Sequence, residues 1–163
     1  MTNEDRQIQA DRMRFTKNTL SSNLAILAIL FDVFYFVSIY RSDVGSYYYN
    51  ILIGASIVYN LLFMLAVFLS SEGVKNYKEG YSWLLAVVGI LQIVRIFIIP
   101  ARAHGAVAVI GGVETEVMGD GQYIRLIVFL LVSAACLLAS AAINYNKCRI
   151  LKEHMKTLEG KIV

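Results

Sequence analysis

Leu24–Tyr40 reads LAILAILFDVFYFVSIY, an apolar run whose only charged residue is Asp32. Three further apolar runs follow along the chain: Ile51–Ser70, Trp83–Ile99 and Tyr123–Ile143. A helix needs about 20 residues to cross the ~30 Å hydrocarbon core of a bilayer. Each run therefore predicts a transmembrane helix. Together they predict one integral membrane domain, an all-α membrane protein built as a four-helix bundle.

The composition agrees with a membrane protein. Hydrophobic residues make up 58% of the chain and charged residues 17%. A soluble domain has about 45–50% apolar and about 25% charged residues. Soluble core helices also keep a polar stripe, whereas these four runs are apolar all round and the charges gather between them. The pattern therefore disfavours a soluble helical bundle.

The basic residues predict the orientation, because cytoplasmic loops carry an excess of Lys and Arg. Eleven of these residues precede the first run, separate the second from the third, or follow the fourth. The other two connections hold three: Arg41, Arg102 and Arg125. Four spans place both termini on one side of the membrane. We therefore expect both termini to be cytoplasmic.

The residues before the first run are predicted to form a short helix through about Lys17. Thr2 and Asp5 have the spacing of a capping box at its start. Its few apolar residues form only a weak face: Ile8, Met13 and Phe15. Two interpretations stay open, namely a helix lying in the membrane interface and a solvated helix.

The C-terminal tail carries an apolar stripe at alternating steps of three and four residues. We call it the docking stripe: Cys148, Leu151, Met155, Leu158 and Ile162. No proline or glycine interrupts the chain from Tyr123 to Glu159, so the fourth span is predicted to continue as a tail helix over 144–159. Such a stripe is typical of helices that pair. It predicts a protein partner or a second copy, with packing on its own bundle or on the membrane as the alternative.

The long outer loop, Pro100–Gln122, opens at a proline that is predicted to end the third helix. Two β-prone runs, Ala106–Ile110 and Val113–Met118, then flank Gly111-Gly112. This pattern favours a small outer β-hairpin. An isolated hairpin is marginal in water, so we expect it to lie against the membrane or another molecule. A re-entrant or disordered loop is the alternative.

Four polar residues lie inside the predicted spans: Asp32, Asn60, Gln92 and Arg95. At the helical rise of 1.5 Å per residue, Asp32 and Arg95 lie about 15 and 18 Å from the inner boundary. Asn60 lies within a turn of that level. We therefore predict a buried Asp32–Arg95 ion pair. Each charge costs about 2.5–3.5 kcal/mol at mid-membrane, which favours either a pair that fixes helix register or a proton- or ligand-binding site.

The fourth span also carries small residues, which let helices approach closely in lipid. Ala135, Ala139 and Ala142 recur on one face, with Cys136 and Ser140 beside them. This face is predicted to pack against the other helices, which makes the fourth span the central helix of the bundle.

The remaining candidate ligands are sparse. Cys136 and Cys148 lie too far apart along one helix for a disulfide. Both histidines, His104 and His154, lie outside the spans, so the bundle offers no ligands for haem or zinc. No arrangement of catalytic residues stands out. We therefore expect no enzymatic activity, no cofactor, no metal and no nucleic-acid partner.

The expected function is that of a non-enzymatic subunit, accessory protein or scaffold of a larger membrane complex. Its expected partners are the lipid bilayer and either another protein or further copies of this chain. The alternative is a small proton- or ion-coupled transporter that works as a homodimer through Asp32.

Overall fold

The computed structural model describes residues 3–40, 50–110 and 112–159. Six helices lie in this part of the chain: α1 (Asn3–Met13), α2 (Thr19–Tyr40), α3 (Asn50–Lys75), α4 (Glu79–Arg95), α5 (Pro100–Ala103) and α6 (Asp120–Glu159). Two strands lie between α5 and α6: β1 (Val107–Ile110) and β2 (Val113–Glu116). Four residues of the sequence predictions lie outside the described residues: Thr2, Arg41, Gly111 and Ile162.

The four long apolar helices pack as a bundle, which confirms the predicted architecture. By length and composition α2, α3, α6, and α4 with its continuation to Ala103, can each cross a membrane. Helix α6 is the central one, because it packs extensively against both α2 and α4 and also touches α1 and α5. Helix α3 packs on α2 and α4. The chain is therefore built for a multi-pass position in a bilayer.

The packing face of α6 differs from the prediction. Ala135, Ala139 and Ala142 are exposed, so the prediction that they pack inside the bundle is wrong. The buried stripe has the same spacing but different members: Ser133, Leu137, Ser140 and Asn144. Hydrocarbon cannot satisfy hydroxyl and amide groups, so these turn inward to partners on other helices. Alanine is apolar and can face lipid without that loss.

The third apolar run ends its regular helix earlier than predicted. Helix α4 ends at Arg95 and not at Ile99. Pro100 has no N–H to donate, so the carbonyl of Ile96 accepts a hydrogen bond of 3.0 Å from the N–H of Ala101 instead. The intervening residues form turns, and Pro100 then begins α5 as its first residue.

The apolar core has two clusters, one toward each end of the bundle. The cluster at the tail end contains Ala25, Ala28, Phe63, Val67, Val74, Leu85, Val88, Leu137 and Ala141. The cluster at the strand end contains Tyr35, Ile39, Ile96, Ala103, Val117, Met118, Leu126 and Leu130. Between these clusters α2, α4 and α6 each bury at least one polar side chain: Asp32, Gln92, Arg95 and Ser133.

Helix α1 lies on the C-terminal part of α6, an arrangement that neither interpretation of the N-terminal segment anticipated. Ala10 and Met13 are buried, and the Asp11 Oδ1 atom lies 2.8 Å from His154 Nε2. This hydrogen bond lowers the pKa of Asp11 below its usual value. The helix ends at Met13 rather than Lys17, since the chain turns there to begin α2.

The two strands occupy the runs that flank the Gly-Gly pair. They pair antiparallel, with Val107 opposite Glu116 and Val109 opposite Glu114. The connecting Gly112 has a φ of +85°, which glycine adopts without the strain of a side chain. The exposed side chains of Val107 and Val109 thus share one face of the strand pair with Glu114 and Glu116. This face therefore has both apolar and charged side chains. Val117 and Met118, directly after β2, are buried and belong to the apolar cluster at the strand end.

A close contact between the ends of α3 and α4 gives a test of this packing. A methyl group on Gly73 would overlap the ring of Tyr81, whereas one on Gly80 would meet no atom within 4 Å. We expect Gly73→Ala to lower the free energy of unfolding by about 1–3 kcal/mol, the usual range for overpacking. Gly80→Ala should leave it unchanged or raise it by up to about 1 kcal/mol. Thermal unfolding in detergent measures both, and equal melting temperatures for the two variants would contradict the packing.

Candidate functional site

The structure brings together the four polar residues that the sequence placed in the membrane. Asp32 lies on α2, Asn60 on α3, and Gln92 and Arg95 on α4. All four are at most 4% exposed. They lie between the two apolar clusters. We call these four residues, together with the hydrogen-bond partners described below, the polar network.

Arg95 is the centre of the polar network. Its Nη1 donates to Asp32 Oδ1 at 2.8 Å and to Gln92 Oε1 at 3.3 Å. Its Nη2 donates to the side-chain oxygen of Asn60. The Nε2 atom of Gln92 also donates to Asp32 Oδ1, at 3.0 Å. One guanidinium group therefore ties α4 to both α2 and α3.

Ser133 joins α6 to the same network, and sequence reasoning missed it. Its hydroxyl accepts a hydrogen bond from Gln92 Nε2 at 3.3 Å and donates to the backbone carbonyl of Ala28 at 3.0 Å. Ser133 has the spacing of the buried stripe on α6. A search for polar rather than small residues at that spacing would have found it. All four long helices thus contribute to the network.

Two tyrosines complete the surroundings of Arg95. The Arg95 Cζ atom lies 4.2 Å from the centre of the Tyr35 ring and 5.0 Å from that of Tyr59. Both distances suit cation–π attraction, which is stronger where water is excluded. Tyr35 follows Asp32 by three residues, so both occupy one face of α2. That spacing was a usable signal which the sequence analysis did not take up.

The electrostatics of the network are balanced but asymmetric. The charges of Asp32 and Arg95 oppose each other, so the buried pair is neutral overall. Within the described residues only Oδ1 of Asp32 accepts hydrogen bonds. Its other oxygen, Oδ2, is buried and has no hydrogen-bond partner among these residues. A buried carboxylate oxygen without a donor is unfavourable. The network therefore has capacity to take up one proton or one further donor at this atom.

A second set of buried polar groups lies at the tail end, and the sequence analysis missed it too. Asn144 Nδ2 donates to Ser82 Oγ at 2.7 Å, and its Oδ1 accepts from Asn18 Nδ2 at 3.0 Å. Lys147 Nζ donates to Asn18 Oδ1 at 2.8 Å. These bonds join α4 and α6 to Asn18, the residue directly before α2. Asn18 and Asn144 lie outside the predicted spans, so they were not included among the predicted polar residues of the membrane.

The docking stripe is only partly exposed. Cys148 is buried, and its Sγ donates to the carbonyl of Tyr77 at 3.0 Å. Leu151 and Leu158 are half-buried, and Met155 is 38% exposed. Ile162 lies outside the described residues. The stripe thus stabilises the bundle at its start and offers apolar surface farther along.

Among the described residues no three His, Cys, Asp or Glu side chains come together in a way that could hold a metal ion. The chain matches no protein-family model, no curated protein and no solved structure in the three comparisons made.

The ion pair gives the second test. Arg95→Leu leaves the Asp32 carboxylate buried without its cation, so we expect a loss of about 3–5 kcal/mol in the free energy of unfolding. Asp32→Asn combined with Arg95→Gln removes both charges and should recover part of this loss. Chemical denaturation in micelles measures both. Arg125→Leu, at an exposed arginine of α6, is the control. A loss equal to that of Arg95→Leu in this control would contradict the assignment.

Proposed function

We propose that this chain is a non-enzymatic subunit, accessory protein or scaffold of a larger membrane complex. The observation that carries the proposal is the length of α6, which has 40 residues. At 1.5 Å per residue such a helix is about 60 Å long, whereas the hydrocarbon core is about 30 Å thick. The tail helix over 144–159, which we call the arm, must therefore extend well beyond the bilayer.

The arm is braced, which suits a docking element. His154 is bonded to Asp11 of α1, and Lys152 forms an ion pair with Glu79 of α4. The arm therefore keeps its direction relative to the bundle, and a partner that binds it loses little freedom in doing so. Met155 supplies an exposed apolar side chain among charged ones, as in helices that dock into apolar grooves.

The proposal places both termini in the cytoplasm. Eleven of the 15 Lys and Arg residues lie before the first apolar run, between the second and third runs, or after the fourth run. Two contacts bring these segments to one end of the bundle. The Asn18 N–H donates to the Lys75 carbonyl at 2.9 Å, and α1 packs on α6. By the positive-inside rule this end faces the cytoplasm, and β1 and β2 then lie outside.

The polar network fits a scaffold as a device that fixes how the helices pack. Between apolar helices in lipid, many rotations and shifts have similar packing energy, because lipid tails are as apolar as leucine. Shifting α2 or α4 by one turn would separate Asp32 from Arg95 and strand both charges. The network thus selects one arrangement, and a partner meets a surface of constant shape.

The docking test uses two exposed apolar side chains of the arm with nearly equal exposure. Met155 on the docking stripe is 38% exposed, and Ile150 off the stripe is 41% exposed. In affinity purification from native membranes in mild detergent, Met155→Ser should reduce the co-purified partner about fivefold or more, the effect of losing about 1 kcal/mol. Ile150→Ser should retain it.

Two results would contradict the subunit proposal. One is a chain that purifies with no partner from native membranes. The other is equal recovery of partner with both serine variants, since the stripe would then have no part in docking. Intact insertion of each variant, checked by extraction with alkaline carbonate, separates a lost contact from a lost protein.

The second candidate function is that of a small proton- or ion-coupled transporter, working as a homodimer through Asp32. The free Oδ2 atom of Asp32 supports it, because a carboxylate that binds a coupling proton needs an oxygen not already held by donors. In liposomes with a pH gradient and an internal pH dye, the native chain should then pass protons. Asp32→Asn should abolish the flux, and Glu114→Gln on β2 should retain it. Absence of flux in the native chain would eliminate this candidate.

A further inference from the structure

A groove between α3 and α4 combines apolar walls with two arginines. Its volume is about 340 Å³, and it is lined by Ala55, Ser56, Tyr59, Leu91, Val94, Arg95, Ile98, Ile99 and Arg102. Pockets that bind small molecules usually measure about 300–1,000 Å³ and have mostly apolar walls with a few polar groups. The groove has this character, and the polar network forms part of its wall.

The two arginines of the groove differ in their charge balance. Arg95 is compensated by Asp32 at 2.8 Å. Arg102 is exposed, and within the described residues it makes no ion pair. Among the described residues the lining includes no Asp or Glu. Within this part of the chain the groove therefore carries one uncompensated positive charge, at its Arg102 end.

The break in the third apolar run accounts for the position of this charge. Helix α4 ends at Arg95, and the chain turns before Pro100 begins α5. Arg102 therefore belongs to a short separate helix, yet it lines the same groove as Leu91 and Val94 on α4. These two apolar side chains are themselves exposed. A bilayer around the bundle would thus place acyl chains directly against the groove.

We propose that this groove binds a phospholipid with a net negative headgroup. Arg102 pairs with the phosphate through its planar donor fork, which matches phosphate oxygens in two parallel hydrogen bonds. The acyl chain lies along Leu91, Val94 and Ile98. The uncompensated charge supplies the preference for an anionic over a zwitterionic headgroup, because the attraction is Coulombic.

The chain contains a matched control for a purely electrostatic effect. A second groove at the strand end, between α2 and α6, also contains an exposed arginine, Arg125. A hydrogen bond of 3.2 Å from Gln122 Nε2 to the Ser38 carbonyl crosses between its two helices. The described residues that line this groove include one arginine and no member of the polar network. Removing Arg125 therefore removes the same charge without altering the proposed site.

The experiment is native mass spectrometry of the full chain, released from detergent after incubation with phosphatidylglycerol or phosphatidylcholine of identical acyl chains. The native chain should retain phosphatidylglycerol in preference to phosphatidylcholine. Arg102→Gln should reduce its retention about fivefold, the factor expected for one basic residue against an anionic headgroup. Arg102→Lys should keep most of the binding, and Arg125→Gln should leave it unchanged. Val94→Phe, which fills the groove, should weaken it with the charge intact.

Several outcomes would overturn the proposal. These are equal retention of the two lipids, equal losses with Arg102→Gln and Arg125→Gln, or unaltered binding by Val94→Phe. Retention of oleate in place of phosphatidylglycerol would assign the groove to a free carboxylate, and an Arg102-dependent dimer would assign it to a second copy. The lipid site does not depend on the docking stripe, so either proposal can fail while the other stands.

Discussion

A charge in hydrocarbon must find its counter-charge within the protein, and the rest of this bundle is arranged around that requirement. Arg95 has an anion, two amide oxygens and two aromatic rings around it. These groups come from α2, α3 and α4, and the Ser133 hydroxyl adds α6. Apolar packing in lipid discriminates weakly between arrangements. The polar atoms at the middle of the bundle therefore specify the position of each helix. The apolar clusters on either side fill the space between the helices.

That these polar residues share one level of the bundle was predictable, whereas their further partners were less so. Counting residues from the membrane boundary placed Asp32, Asn60 and Arg95 at one level, since the helical rise is constant. Which way each helix faces depends on neighbours that a sequence does not name. The face of α6 was misplaced for this reason: Ala139 and Ser140 are adjacent in sequence, and a rotation of about 100° exchanges them.

The ends of the elements show the same division between local and long-range causes. Pro100 predicted a helix stop, but the last regular turn was lost four residues earlier because the proline also deprives Ile96 of its usual donor. The N-terminal helix had too few apolar residues to predict its position. Its docking depends on Asp11 meeting His154, residues 143 positions apart. Contacts at that separation leave no local pattern in the sequence.

The continuity of α6 has a mechanical consequence. Ser133 at the polar network and His154 on the arm belong to one uninterrupted helix, and they are separated by about 32 Å at the helical rise. A helix without proline, glycine or a bulge has no hinge. Any rotation of α6 about its axis that disturbs the network must turn the arm by the same angle, and a torque applied at the arm must reach the Ser133 hydroxyl. The polar network and the arm are thereby joined as the two ends of one continuous helix.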